Sequence, residues 1–137
     1  MAPVLPALGM PEPGRLIDVG SGNGSPGLVF AVLRADLEVT LLEPRVRRWA
    51  FLREAARATG AARVSVLRQR HDVYAGPPAR TLTVRALALP LVELGPLVEA
   101  GGRVLWFGAR AEASGPFEPA GDGERLTQGV QVFRRLG

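Results

Sequence analysis

Residues 16–30, LIDVGSGNGSPGLVF, constrain the fold of this chain more than any other stretch. The apolar pair Leu16-Ile17 runs into Asp18-Val19, and four glycines (Gly20, Gly22, Gly24 and Gly27) then fall within eight positions before apolar residues resume. Glycine loses more freedom on folding than any other residue. That density is kept where a backbone must turn tightly or approach something closely. Ser25-Pro26 has the pattern of a helix start, with a hydroxyl at the N-cap and proline in the first turn. The reading is strand, glycine turn, helix, which is the opening unit of an α/β domain.

The rest of the chain continues the alternation. Strands are expected at 15–19, 38–43, 63–67, 81–84 and 103–107, and the alternating segment 130–134 reads as a half-buried or edge strand. Helices are expected at 26–34, at 45–59 and at 90–99. The second carries Val46, Trp49, Leu52 and Ala56 on one face and stops at Gly60; the third ends before Gly101-Gly102. Strand and helix in turn imply a parallel sheet with right-handed crossovers. HDVYAGPPAR, residues 71–80, is too short and proline-rich for a full crossover helix, and 108–129 lacks helical periodicity. The expected fold is a trimmed doubly wound, Rossmann-like, mostly parallel α/β sheet of about six strands. It is expected as one domain over 1–137, with an N-terminal arm at 1–14 and a loop-rich segment at 109–127.

Composition narrows the chemistry. A chain of 137 residues, 47% hydrophobic and 22% charged, is large enough for one real core. It has no cysteine and a single histidine, His71, which excludes a disulfide framework, thiolate chemistry and Cys- or His-cluster metal sites. The longest apolar runs are strand-length, so no membrane-spanning segment is expected. The start, MAPVLPALGMPEPG, lacks a basic leader and reads as an arm, so a cytoplasmic protein is expected. The net charge is +4, and all 17 basic residues are arginine. A GC-rich coding sequence accounts for that bias, but arginine also makes the better bidentate phosphate contact. An acidic partner such as RNA is compatible with it.

Two ligand classes compete for the glycine loop. Gly22-Asn23-Gly24-Ser25-Pro26-Gly27 matches the dinucleotide pattern G-x-G-x-x-G, but in the wrong register. That pattern begins as the strand ends, at Gly20, and its third glycine would then fall on Ser25. What does begin there is Asp18-Val19-Gly20-Ser21-Gly22-Asn23-Gly24, a D-x-G-x-G-x-G loop similar to that of S-adenosylmethionine-dependent methyltransferases. A pyrophosphate wants bare N–H groups and no nearby carboxylate. A sulfonium-bearing amino acid tolerates one, so Asp18 favours the methyl donor and leaves Gly27 to helix packing. Glu43-Pro44 closes the second strand 23 positions after Gly20, where a carboxylate can take both ribose hydroxyls of either ligand.

With these residues in place, the chain resembles the bacterial small-subunit ribosomal RNA methyltransferase G family, also called glucose-inhibited division protein B. The likeness runs over residues 15–108 through DVGSGNGSPGL, DLEVTLLEP, RRWAFLREAARATG, VRALALPL and GGRVLWFG. It implies a class I methyltransferase that moves a methyl group from S-adenosylmethionine to N7 of a guanine in small-subunit rRNA. Carried over, Asp18, Gly20, Ser21, Gly22 and Gly24 cradle the methionine end, and Glu43 with Pro44 holds the ribose. Arg70, His71 and Asp72 lie beside the adenine, and Arg85 stands where the methyl leaves. Departures are specific. Only fourteen residues precede the first strand, where the family has a long helical segment, and its last helix-and-strand unit is reduced to one strand. Asn23 and Ser25 replace an alanine and a phenylalanine, His71 replaces a small residue, and Phe107-Gly108 stands in place of a lysine.

Guanine N7 has an in-plane lone pair at neutral pH, so its methylation needs alignment more than a strong base. That suits a chain with one histidine and no evident acid–base pair. Arg85 can hold a phosphate or guanine edge by paired hydrogen bonds, or form a salt bridge. Arg45, Arg47, Arg48, Arg53 and Arg57 sit on one helix as a solvated face or an RNA contact. Trp49 and Phe51 are expected in the core or at a subunit interface, and a homodimer is compatible with a partly uncovered sheet. Two other functions stay open: a degenerate methyltransferase-like binding module without catalysis, and an NAD(P)-binding oxidoreductase favoured by the offset glycine pattern.

Overall fold

Leu16 and Ile17 are both fully buried and point to opposite faces of strand β1 (Gly14–Val19), so this strand must be covered on two sides. The structure, a computed structural model, describes residues 9–20, 26–85, 89–108, 110–120 and 130–137. After β1 come α1 (Pro26–Leu33), β2 (Leu37–Leu42), α2 (Val46–Thr59), β3 (Val64–Leu67) and β4 (Ala79–Arg85). A 3-10 helix (Leu91–Leu97), β5 (Val98–Phe107), β6 (Phe117–Pro119) and β7 (Val130–Arg135) complete the order.

The strands form one sheet in the order β3-β2-β1-β4-β5-β7-β6. The first five run parallel; β7 pairs antiparallel with β5, and β6 antiparallel with β7. One face packs under α1 and α2 through Leu16, Leu37, Val39, Leu41 and Leu52. The other carries Ile17, Leu42, Leu82, Val84, Val104 and Trp106 beneath the 3-10 helix. α1 is apolar on both sides: Leu28, Phe30 and Ala31 face the core, while Val29, Val32 and Leu33 are exposed.

Three expectations need correction. The segment expected as a helix at 90–99 is the 3-10 helix Leu91–Leu97. Its buried residues Leu91, Leu94 and Leu97 recur every third position, which suits three residues per turn, and Pro96 removes a donor that an α-helix would use. β5 starts at Val98, not at 103, because Gly101 and Gly102 are built into it. Gly101 takes a φ of 79°, and a Cβ on Gly102 would meet the Arg80 carbonyl oxygen at 2.8 Å. The pairing with β4 shifts register there, between Ala79 and Thr81. Finally, the sheet has seven strands: β6, only three residues long, lies in the stretch expected to be loop.

The long helix matches expectation more closely. Leu52 and Ala56 are buried, Trp49 is half-buried, and Gly60 ends the helix with φ 71° and its N–H on the Arg57 carbonyl. Phe51, expected in the core or at an interface, is 62% exposed, and so is most of Val46. Phe51 projects away from the buried stripe of Leu52 and Ala56, toward solvent. Trp106 is in the core.

Candidate functional site

The chain leaves β1 toward β2 and β3 on one side, then returns to β4 on the other. The crevice between the carboxyl ends of β1 and β4 is therefore the topological switch point, where open α/β sheets place their ligands. Asp18 stands there. It is fully buried, lies in register with Thr83 of β4, and accepts a hydrogen bond from the Thr83 hydroxyl. Both side chains point to the α1 face, since a Cβ added to Gly27 would sit 2.6 Å from Asp18 Cβ and 3.0 Å from Leu41 Cδ2. Glycine at 27 is thus what lets the start of α1 lie against the carboxylate. Gly20, the first residue past β1, has a φ of 71°, a conformation that favours glycine. Ser21, Gly22 and Gly24 lie outside the described residues, as do Asn23 and Ser25.

Glu43 follows β2 by one residue and is 3% exposed. Its N–H donates to the Leu67 carbonyl of β3 at 3.0 Å, and its Oε2 accepts from the Arg45 N–H at 3.2 Å. Arg45 is the N-cap of α2, so the carboxylate rests on the positive end of that helix. Pro44 is exposed beside it. Two buried carboxylates thus end adjacent parallel strands.

Arg70, His71 and Asp72 form the turn after β3, closed by the Val73 N–H on the Arg70 carbonyl at 3.3 Å. Arg70 Nε pairs with Asp72 Oδ1 at 3.1 Å, and both side chains are largely exposed. What desolvation there is would raise the Asp72 carboxyl. The hydrogen bond and charge of Arg70, with help from its own backbone N–H and from His71, outweigh that and hold it below the usual carboxylate range. His71 turns away from this pair; its Nε2 lies 3.3 Å from Oε2 of Glu93, in the first turn of the 3-10 helix. Arg85, exposed at the end of β4, is in register with Phe107 of β5.

The structure brings Asp18, Gly20 and Glu43 to the ends of β1 and β2, with the 70–72 turn beyond β3 and Arg85 beyond β4. Two partners escape sequence reasoning. Thr83 is one of two threonines in TLTVR, a pattern that says only strand; Glu93 is an acid in an apolar run. Among the described residues no cluster of three His, Asp or Glu side chains can hold a metal, and no helix is long and apolar enough to cross a membrane.

Comparison with known proteins bears on the fold and the family. Among solved structures, the antibiotic-resistance methyltransferase Kmr superposes with a TM-score of 0.66 at 20% identity, over 90% of this chain and 86% of that one. A mutant of MtNAS in complex with S-adenosylmethionine gives 0.67 at 18% identity, over 90% of this chain and 55% of that one. At those identities the likeness is one of fold. A relative from Thermobifida fusca, ribosomal RNA small subunit methyltransferase G, is 46% identical over 110 residues, which are 76% of this chain and 46% of that protein. The chain therefore spans less than half the length of that relative. The family described as rRNA small subunit methyltransferase G matches residues 4–111, from the arm through β5. This chain belongs to that rRNA small subunit methyltransferase G family.

Proposed function

We propose that the chain binds S-adenosylmethionine at the β1–β4 crevice and transfers its methyl group to small-subunit rRNA, at N7 of a guanine. The single observation that carries this reading is Asp18, a buried carboxylate hydrogen-bonded to Thr83 at the switch point and followed by left-handed Gly20. The donor set fits the cofactor. Asp18, buried at the end of β1, disfavours a pyrophosphate and suits a cationic amino acid, and Glu43, buried at the end of β2, suits a ribose. Asp18, Gly20, Ser21, Gly22 and Gly24 are assigned to the methionine end, Glu43 and Pro44 to the ribose, and Arg70, His71 and Asp72 to the adenine.

When bound, the cofactor supplies an electrophilic methyl group. The chain's own residues hold and orient. Glu43, fixed by the α2 N-terminus, accepts from hydroxyls, while Arg85 on the neighbouring rim has the planar donor fork to grip a phosphate or guanine edge. A guanine N7 brings its own lone pair, so no side chain has to remove a proton before attack. A homodimer is compatible with the exposed Val29, Val32 and Leu33 of α1, and sedimentation velocity decides whether the chain dimerises. The family membership and the absence of a membrane-spanning helix among the described residues fit a cytoplasmic setting.

Calorimetry with S-adenosylmethionine, S-adenosylhomocysteine and NAD tests the cofactor assignment: both sulfur nucleosides bind and NAD does not. NAD binding without either of them would reverse it. Tritium transfer from labelled cofactor to undermethylated small subunits, free rRNA and small guanine compounds then tests the acceptor. Label in none of them, with cofactor binding intact, favours a binding module over an enzyme.

A further inference from the structure

β3 is the edge of the sheet, and α2 lies over it on one face. Trp49 of α2 donates its indole N–H to the Val66 carbonyl at 3.2 Å, which pins the ring against the edge strand. The Arg53 guanidinium stacks on that ring, 4.7 Å from its centroid. Further along lies a groove of about 220 Å³ lined by Arg53, Ala56, Arg57, Ala61, Val64 and Val66. Its apolar residues are small or short, which is why space remains beside two long cationic side chains. None of its described lining residues is a carboxylate.

The spacing extends the charge beyond the groove. Arg45, Trp49, Arg53 and Arg57 stand four apart and so form one ridge, advancing about 6 Å per step. One end of the ridge is Arg45, bonded through its N–H to Glu43 of the candidate site; the other is Arg57, at the groove. Among the described residues Arg57 pairs with Glu54 at 3.8 Å, with both side chains more than 70% exposed. Such a pair contributes little and yields readily to a stronger anion.

From this we infer that the α2–β3 groove is a phosphate-binding track for RNA, gripping the backbone on the flank of the domain while the candidate site takes the base. Its volume suits a phosphodiester unit and is small for a folded side-chain cluster. Arginine's planar fork, held in place on Trp49, matches paired phosphate oxygens better than a single carboxylate. The inference rests on the reading of the acceptor as RNA.

The test is anisotropy of a labelled small-subunit rRNA stem-loop with the full chain over a salt series, comparing Arg53→Ala/Arg57→Ala with wild type. Each phosphate contact removed should flatten the dependence of log affinity on log salt by about 0.7 to 0.9. Arg47→Ala, on the outward side of α2, should leave the slope near wild type, and Arg53→Lys should recover part of the double variant's loss. S-adenosylhomocysteine binding by calorimetry should be the same in all, which also shows that they fold. An unchanged slope in the double variant, or an equal loss in Arg47→Ala, overturns the track. So does displacement of RNA by polyglutamate at matched charge, which marks a general acidic-partner groove. Wild type that holds S-adenosylhomocysteine but no RNA at low salt overturns the track and the RNA acceptor while leaving the cofactor assignment; RNA binding without cofactor binding overturns the cofactor assignment instead.

Discussion

The Thr83 hydroxyl donates to the carboxylate of Asp18 across the boundary between β4 and β1, in a register that places the two residues side by side. A buried carboxylate at the end of a central strand is costly unless it is bonded, and this bond offsets part of that cost and aims the side chain. Thr83→Val keeps the shape and removes the donor. It should lower stability by about 1–3 kcal/mol in urea unfolding and weaken S-adenosylhomocysteine binding, while Thr83→Ser restores most of both. Asp18→Ala should weaken cofactor binding far more than Arg47→Ala. Equal losses in those two would show that the cofactor lies elsewhere.

Gly27 tests the seating of α1. Alanine is the better helix former by about 1 kcal/mol, so propensity alone predicts that Gly27→Ala stabilises. The contact at 2.6 Å with Asp18 Cβ opposes this, and neither a central strand nor a helix start can yield cheaply. We expect a net loss of about 1–3 kcal/mol, as in other overpacked cores, with reduced cofactor binding because Asp18 is displaced. Gly60→Ala is the contrast. It meets nothing within 4 Å but has φ 71°, so its smaller loss comes from backbone strain and leaves cofactor binding intact. Thermal melts and calorimetry of both variants separate the two causes.

How much of this was legible before the fold is known follows from which interactions are local. Asp18, Gly20 and Glu43 announce themselves because a strand end, a left-handed turn and a helix start each leave marks within a few residues. Arg57 and Gly60 close α2 in the same local way. Thr83 pairs with a residue 65 positions away, and His71 with one 22 away, so only sheet order and register bring them together. The 3-10 form of the helix is not legible in the leucines, because a spacing of three fits either helix type over two turns, and the deciding residue is Pro96. β6 is three residues ending in a proline, and only the neighbouring β7 makes it a strand.

Acid stability should carry a signature of Arg34 and Asp36. Arg34 donates to both carboxylate oxygens, at 2.7 and 2.8 Å, and to the Pro11 carbonyl at 3.1 Å, fastening the arm to the turn before β2. The hydrogen bond from Arg34 outweighs a small burial penalty, and with the guanidinium's charge it holds the Asp36 carboxyl below its ordinary value of 3.8. A carboxyl lowered in the fold stabilises fully above its unfolded value, and that contribution fades as pH falls through the folded one. The melting-temperature gap between wild type and Asp36→Asn should therefore be constant from neutrality to about pH 5 and close below the ordinary carboxylate pKa. A gap that persists undiminished in strong acid would assign the effect to packing.

His71 offers the sharpest test of whether the chemistry needs a base. As a general base its loss would cost about 10²- to 10⁴-fold in kcat. The structure instead gives it to Glu93, which ties the turn beyond β3 to the 3-10 helix beyond β4. The pair is partly exposed, since Glu93 is 52% accessible, so its contribution to stability is below about 1 kcal/mol. His71→Ala and Glu93→Gln should therefore raise KM for S-adenosylmethionine by a similar modest factor, leave kcat within a few fold, and combine non-additively in the double variant. A hundredfold fall in kcat for His71→Ala, absent from Glu93→Gln, would make the histidine a catalytic residue and contradict a mechanism that relies on alignment alone.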